Sequence, residues 1–331
     1  MSEYAAVDFT VVIPAYNPGG LLAEALESVA GQTLRPAWVV VVDDGSSDGS
    51  SASATDLLAH HALTGVVLRQ ANQGISAARN AGLAARRTRW IALLDADDLW
   101  TSDHLERLSL AIHRCPDAIV AFGDSRFFGD ARSRTDLLAR TTALRLSEAC
   151  VEPGIHVLSN EVFDALLPGL FIPVSASAFR MDCGDPEPRF DTGLRSGEDR
   201  YFFLQLSRRG RFVFTEAQIA RTRRHENNTT HHDNASRLQE DLLALLVKIG
   251  RSPDFALTAE QRLEVRRASA RAATALMYSS STVGLGAYLR ARRRAAHHLR
   301  LADRCRVRDL IRATAVSLRL KKTVPAARLV P

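Results

Sequence analysis

The sequence holds no apolar run approaching the ~18–20 residues that cross a bilayer, so no membrane-spanning helix is expected in its 331 residues. Its first residues, Met1 to Asp8, carry neither a basic stretch nor an apolar one, and no secretory signal is read there. Cysteine is scarce. Cys115, Cys150, Cys183 and Cys305 are scattered, without a CxxC pair or zinc-finger spacing, and read as buried thiols of a reduced cytoplasm. Glycine is missing where a phosphate cradle would need it: Pro-Ala-Tyr-Asn-Pro-Gly-Gly follows the first apolar run, not GxGxxG. That excludes a dinucleotide-binding domain, and there is no Walker lysine either. Aromatic residues make up only 6% of the chain, and its basic stretches are not interleaved with them, so no nucleic-acid partner is expected.

Lysine is nearly absent, and arginine supplies almost all of the positive charge. The net charge of +6 hides an asymmetry between two segments. Residues 1–235 hold 30 acidic and 23 basic side chains, whereas residues 236–331 hold 7 acidic and 20 basic ones. Different electrostatic demands on the two parts place a boundary near His231–Ser236. The expected organisation is a catalytic domain over 1–233 and an Arg-rich helical region over 234–331.

What the first hundred residues do contain is alternation. Phe9 to Pro14, Trp38 to Val42, Val66 to Leu68 and Trp90 to Leu94 are short apolar runs suited to strands buried on both faces. Between them, Leu22, Ala25, Leu26 and Val29 recur at helical spacing, a helix begins near Ser47–Ser53, and Asn72-Gln-Gly74 opens another with Ile75, Ala78, Gly82 and Ala85 on one face. This is the βαβ pattern of a mostly parallel sheet with helices on both faces. Beyond Leu99 the pattern weakens. Thr101 or Ser102 can cap a helix through Arg114, and Ala118–Phe122 and Ser177–Arg180 read as strands. Residues 129–158 show little period and read as a surface excursion, while Arg211–Thr215 and Gln218–Thr222 read as two short strands. The tail is helical: Leu238, Leu242, Leu245 and Leu246 form a stripe, and Thr258-Ala-Glu-Gln261 is a capping box. In the last helix Leu285, Tyr288, Leu289, Ala296 and Leu299 share a face opposite Arg290, Arg293, Arg294 and Arg300.

Two of the strands run straight into carboxylates. Val39–Val42 stops at Asp43-Asp44-Gly45-Ser-Ser-Asp, and the run ending at Leu94 meets Asp95-Ala96-Asp97-Asp98. Ligands of open α/β sheets sit outside the carboxyl ends of the strands, and Mg²⁺ or Mn²⁺ takes one or two carboxylates there together with substrate phosphates. Each cluster alone also suits an ordinary turn. The order is what distinguishes them: Pro-Ala-Tyr-Asn, then Val-Asp-Asp-Gly-Ser-Ser-Asp, then Asn-Gln-Gly-Ile-Ser-Ala-Ala-Arg-Asn-Ala-Gly, then Leu-Leu-Asp-Ala-Asp-Asp-Leu-Trp. In that order and spacing the chain resembles the inverting family 2 glycosyltransferases of the GT-A fold, densely over residues 8–100 and sparsely over 101–233.

The resemblance implies roles. Pro14, Ala15, Tyr16, Asp44, Arg79, Asp95 and Ala96 match nucleotide-binding positions, with Tyr16 packing on the base, Asp44 accepting from its N3–H, and Arg79 beside base and phosphates. Asn80 would shape its loop. Asp97 matches the Mn²⁺ or Mg²⁺ ligand, with Asp95 assisting, and His225 in Arg223-Arg-His225 matches a metal or phosphate ligand. In Gly-Glu198-Asp199-Arg-Tyr-Phe-Phe, Asp199 matches the general base, with Glu198 beside it. Read without the resemblance, Tyr16 is a core-edge aromatic, Arg79 an exposed helix residue, Asp199 a helix cap and His225 a structural histidine. The family implies a nucleotide-sugar donor, UDP before dTDP, and a hydroxyl acceptor that is a saccharide, a lipid-linked molecule or a small molecule. The competing readings are a sugar nucleotidyltransferase, whose Gly-rich basic loop is absent here, and a non-catalytic nucleotide-binding scaffold. The outward arginines of the tail, with Arg292 among them, suggest peripheral contact with an anionic membrane from the cytoplasmic side, and its apolar stripes suggest packing on a second copy.

Overall fold

The computed structural model describes residues 6–129, 138–224 and 235–299, together with Thr314. The chain divides into two compact units, Met1–Gly193 with Glu198–His225 and Leu194–Gly197 with Glu226–Pro331.

The first unit is built on a ten-stranded sheet. Strands β1 (Phe9–Ala15), β2 (Trp38–Asp43), β3 (Gly65–Arg69) and β4 (Trp90–Leu93) lie parallel in the order β3-β2-β1-β4. Every residue of β1, β2 and β4 is buried, as strands covered on both faces must be. Alternation assigns the covers. Val11 and Ile13 point into a core with Leu22 and Leu26 of α1 (Leu21–Ala30), Ala54 and Leu58 of α2 (Ser50–His60), and Leu105 and Leu108 of α4 (His104–Arg114). Val12 faces the other way, toward α3 (Ile75–Ala84). There Gly82 lets helix and strand approach so closely that an added Cβ would lie 2.2 Å from Val12 Cγ1. Gly82→Ala is therefore expected to destabilise the protein by about 1–3 kcal/mol through overpacking, read as a lowered urea midpoint. An unchanged midpoint would mean that α3 moves off the sheet without cost.

The sheet then turns antiparallel. β9 (Ser177–Arg180) lies between β4 and β6 (Ala118–Gly129) and opposes both. β10 (Arg211–Arg224) runs parallel to β6, and the two-residue β5 (Leu99–Trp100) pairs with its far side. Here the sequence reading needs correction. The two short strands expected over residues 211–222 are one strand, interrupted by register shifts between Phe214, Gln218 and Ala220 that break its period. The excursion expected over residues 129–158 contains α5 (Leu138–Arg145) and a hairpin, β7 (Ser147–Glu152) and β8 (Ile155–Leu158), which extends the sheet beyond β10. β7 is an edge strand with mostly exposed side chains, so no apolar alternation marks it. Helix α4 starts at His104 and neither Thr101 nor Ser102 caps it; the Thr101 hydroxyl instead bonds Asp103 and the Ile219 carbonyl. Helices α6 (Val162–Leu166) and α7 (Glu198–Ser207) complete the unit. Among the cysteines, Cys115 is buried as expected but Cys150 is exposed; Cys305 lies outside the described residues.

In the second unit α8 (Ala235–Arg251), α9 (Ala259–Ser281) and α10 (Leu285–Leu299) pack through Leu243, Leu246, Ala272, Ala273, Leu276, Ala291 and Ala295. The capping box at Thr258 and Gln261 is formed in both directions. Of the face expected on α10, Tyr288 is buried with Leu285 packed beside it, whereas Leu289 and Ala296 are exposed and Ala291 and Ala295 take their place in the contact. Small residues let α10 sit close to its neighbours, and Leu289 falls outside that contact. Arg294 also finds an acid that local sequence did not offer, Glu240 of α8. No described helix is long and apolar enough to cross a membrane.

Candidate active site

At the carboxyl edge of the sheet the loops after β1, β2 and β3 bond to one another, and the turn after β4 is held separately. After β1, Asn17 takes a left-handed conformation (φ 48°), its N–H donating to Ser46 Oγ (2.9 Å) and its Oδ1 accepting from Ser47 N (2.8 Å). Tyr16 beside it is 56% exposed, so it is not the core-edge aromatic that a reading without the family would make it. Pro14 and Ala15 are the last residues of β1. After β2, Asp43 Oδ1 accepts from Ser46 N at 2.8 Å, and Asp44 reaches across to the loop before α3. Asp44 Oδ1 accepts from Gln70 Nε2 (2.8 Å) and Gln73 N (2.9 Å), and its Oδ2 accepts from Gly74 N (2.8 Å). A carboxylate accepts about four hydrogen bonds, so Asp44 keeps room for roughly one more donor. Its first task here is to close the β3–α3 loop at the start of α3.

The turn after β4 alternates: Ala96 and Asp98 are buried, Asp95 and Asp97 half-buried. Asp98 is its peg. It accepts from Ser175 Oγ (2.7 Å) and Arg223 N (2.8 Å), while Arg223 Nε donates to the Asp97 carbonyl (2.9 Å). Burial, together with Asp95 and Asp97 nearby, pushes the Asp98 carboxyl up to about 8. Neither Asp98 nor Ser175 was singled out in the sequence. Asp98 was visible as the third carboxylate of the cluster, but Ser175, 77 residues away, carries no local signal.

Arg79 is not the exposed helix residue that a reading without the family would make it: its side chain is 4% exposed. Its Nη2 donates to Asp95 Oδ1 and its Nη1 to Glu198 Oε1, both at 2.8 Å, and its guanidinium lies 5.2 Å from the centre of the Phe190 ring. Burial alone would lower its pKa, but Asp95 and Glu198 outweigh that and hold it firmly charged. Neighbouring Asn80 bonds both backbone groups of Phe190, at 2.7 and 3.0 Å, and so fixes the segment on which Arg79 rests.

Glu198 and Asp199 form the first turn of α7, where the helix dipole favours negative charge. Asp199 Oδ1 accepts from Arg200 N at 2.6 Å. Burial raises both carboxyls, the two repel one another, and Arg79 opposes the rise. The structure thus brings Arg79, Asp95, Glu198 and Asp199 into one buried-to-exposed cluster, with Asp97 on the adjoining turn; His225 lies outside the described residues.

Asp95 and Asp97 offer hard oxygen donors. Among the described residues no three His, Cys, Asp or Glu side chains converge on one point. This donor set does not suit zinc or a closed calcium cage. It fits Mg²⁺ or Mn²⁺, which bind through one or two carboxylates and complete their shell with water and substrate phosphate. A separate cleft of about 620 Å³ beside α1 and α2, lined by Gly19, Asp48, Asp56 and His60 among others, includes none of these groups.

A parallel sheet with acidic turns at its carboxyl edge, continued by antiparallel strands and an acidic helix start, defines the GT-A class of fold. Solved structures of Staphylococcus aureus TarS (residues 1–349) share it, with 17% identity, a TM-score of 0.56 and 89% of each chain covered. So does the mannosyltransferase PcManGT of Pyrobaculum calidifontis, with 19% identity, a TM-score of 0.55, and 96% of this chain and 89% of that one covered. Residues 10–158, just under half of the chain, match the family model for glycosyl transferase family 2. Curated relatives include two succinoglycan biosynthesis proteins of Rhizobium meliloti. ExoO is 33% identical over 202 residues, 58% of this chain and 53% of its own length; ExoW is 38% identical over 149 residues, 42% and 46%. The match thus spans about half the length of these relatives.

Proposed function

We propose that this chain transfers a sugar from a nucleoside diphosphate donor to an acceptor hydroxyl by one metal-assisted displacement that inverts the anomeric carbon. The observation that carries the reading is the cluster at the carboxyl edge: Asp95 on the β4 turn and Glu198–Asp199 on α7, joined through Arg79. Tyr16 offers its exposed ring to the base, and Asp44 its remaining acceptor site to the base N3–H. Asp95 and Asp97 would hold Mn²⁺ or Mg²⁺, which when bound supplies Lewis-acid stabilisation of the leaving diphosphate. Asp199 takes the proton of the acceptor hydroxyl as its oxygen forms the bond to C1 and the C1–O bond to the diphosphate breaks. His225 is assigned to phosphate or metal on sequence alone. The solved neighbours support the donor class: TarS is solved in complex with UDP and with UDP-GlcNAc, and PcManGT with GDP-Man and Mn²⁺. The succinoglycan relatives favour a saccharide acceptor, free or lipid-linked. The arginines on α10 suit peripheral contact with an anionic membrane on its cytoplasmic side, and the α8–α10 unit is the candidate for self-association.

A panel of UDP-, dTDP- and GDP-sugars, each with and without Mn²⁺, tests the donor. A ligand at a hundred times its Kd stabilises the native state by about 2.7 kcal/mol, an upward shift of several degrees in Tm. A UDP-sugar is expected to give the largest Mn²⁺-dependent shift, followed by turnover to UDP. Absence of a shift with every donor would overturn the reading. Binding without turnover in the presence of saccharide acceptors would favour the non-catalytic scaffold.

A further inference from the structure

Arg79 joins two elements that are far apart in sequence. Asp95 leaves β4 on the side proposed for donor and metal, while Glu198 opens α7, the helix that carries the proposed base. One planar guanidinium bonds one oxygen of each at 2.8 Å, leaving the second oxygen of both carboxylates open to other partners. The exposures are graded: 31% for the Asp95 side chain, 10% for Glu198 and 4% for Arg79. Such an arrangement is a poor device for stability alone. Desolvating a cation and two carboxylates consumes most of their attraction, and apolar residues of similar volume commonly serve a core as well or better. The Arg79 Nε adds to the cost, since it is buried with no hydrogen-bond partner among the described residues. What the fork does provide is geometry. Arginine presents two N–H groups in a fixed plane, so the separation and orientation of the two acceptors are set together. Phe190, held through Asn80, supports the guanidinium at 5.2 Å and keeps that plane from turning.

We infer that Arg79 is a positioning residue that couples the donor side of the site to its base. By holding Asp95 and the Glu198–Asp199 turn in one register, it sets the reacting hydroxyl in line with the donor anomeric carbon. It does this without contacting the nucleotide. The inference rests on the glycosyltransferase reading and replaces the nucleotide-contact role that the family resemblance gave this residue.

The test compares Arg79→Lys and Arg79→Ala with wild type in three measurements: UDP affinity by calorimetry with a chelator in place of Mn²⁺, kcat and KM for UDP release from the UDP-sugar that stabilises wild type best, and Tm. The chelator keeps a shift of Asp95 from entering the affinity through the metal. Displacement of reacting groups by about 1 Å costs on the order of 100-fold in rate. Both variants are therefore expected to lose about 10–100-fold in kcat while UDP affinity and KM stay within about threefold. Arg79→Lys keeps the buried charge but not the fork, so its loss separates geometry from charge. Guanidinium ion at about 20–50 mM should restore Arg79→Ala several-fold by refilling the site and should leave Arg79→Lys unchanged. Should the alanine variant not fold, the lysine variant carries the test. A UDP affinity that falls in parallel with kcat would return Arg79 to nucleotide binding, and an unchanged kcat in Arg79→Lys would leave it a structural ion pair. Either result overturns the inference while wild-type turnover still upholds the glycosyltransferase reading. Wild type that releases no UDP from any UDP-sugar would overturn both.

Discussion

Asp199→Asn is expected to lower transfer by about 10²–10⁴-fold, the usual contribution of a positioned base, while leaving UDP affinity unchanged. The amide keeps the shape of the side chain and can still accept from Arg200 N, a bond that measures 2.6 Å in the native protein, so the first turn of α7 should persist. What it loses is the ability to take a proton. The native pair also makes a pH prediction. Burial raises the Asp199 carboxyl above the ordinary range, with Arg79 opposing the rise, and the Glu198 carboxyl is raised by burial and then by Asp199 itself. A base must be ionised to act, so the acid limb of wild-type kcat should lie above the range of a free aspartate. In Asp199→Asn, Glu198 loses its repelling neighbour, so its carboxyl should titrate at lower pH than it does beside Asp199, where burial and Asp199 push it up to about 7. Transfer that persists within about tenfold of wild type would move the base to Glu198. The acid limb of that remaining activity would then report the Glu198 carboxyl directly.

The parts of this site that sequence reveals are those in which one short segment carries both the fold signal and the chemistry. β2 reads as buried because it is apolar throughout, and the abrupt change at Asp43 marks the sheet edge. The turn after β4 announces itself in the same way. Gly82 shows within its helix as a small residue on the packing face, and its closeness to Val12 explains that choice. Arg79 sits on the same helix, and there local reading fails. An arginine between Ala78 and Asn80 looks exposed unless the partners that neutralise it are known, and those partners lie 16 and 119 residues further along. Ser175 is hidden for the same reason. Asp44 shows the converse limit. Its position at the strand end was legible, but its three bonds to Gln70, Gln73 and Gly74 make it a loop clamp before any ligand arrives. The β7–β8 hairpin escaped because an edge strand need not be apolar on either face.

Asp97→Ala is expected to remove the Mn²⁺ dependence of UDP binding and leave the fold in place. The two claims separate because the turn after β4 is held by other groups. Asp98 is buried and anchored to Ser175 and Arg223, and the Asp97 contribution to that anchoring includes its backbone carbonyl, which alanine retains. Asp98→Ala is the contrasting variant. It leaves the Ser175 hydroxyl and the Arg223 amide without their acceptor in a buried place, which costs about 1–3 kcal/mol for each group stranded. Its Tm should therefore fall by several degrees, whereas that of Asp97→Ala should stay within about two. In calorimetry, wild type should bind UDP at least tenfold more tightly with Mn²⁺ than with a chelator, and Asp97→Ala should give one affinity under both conditions. The loss in turnover should be larger, about 10³-fold or more, because charge on the diphosphate is greatest as the bond to C1 breaks and a metal contributes several kcal/mol at that point. If Asp97→Ala retains the Mn²⁺ dependence of wild type, Asp97 is not the ligand. Asp95 would then be the carboxylate to test, and since Asp95 also bonds Arg79, its loss should lower kcat through the base as well as through the metal.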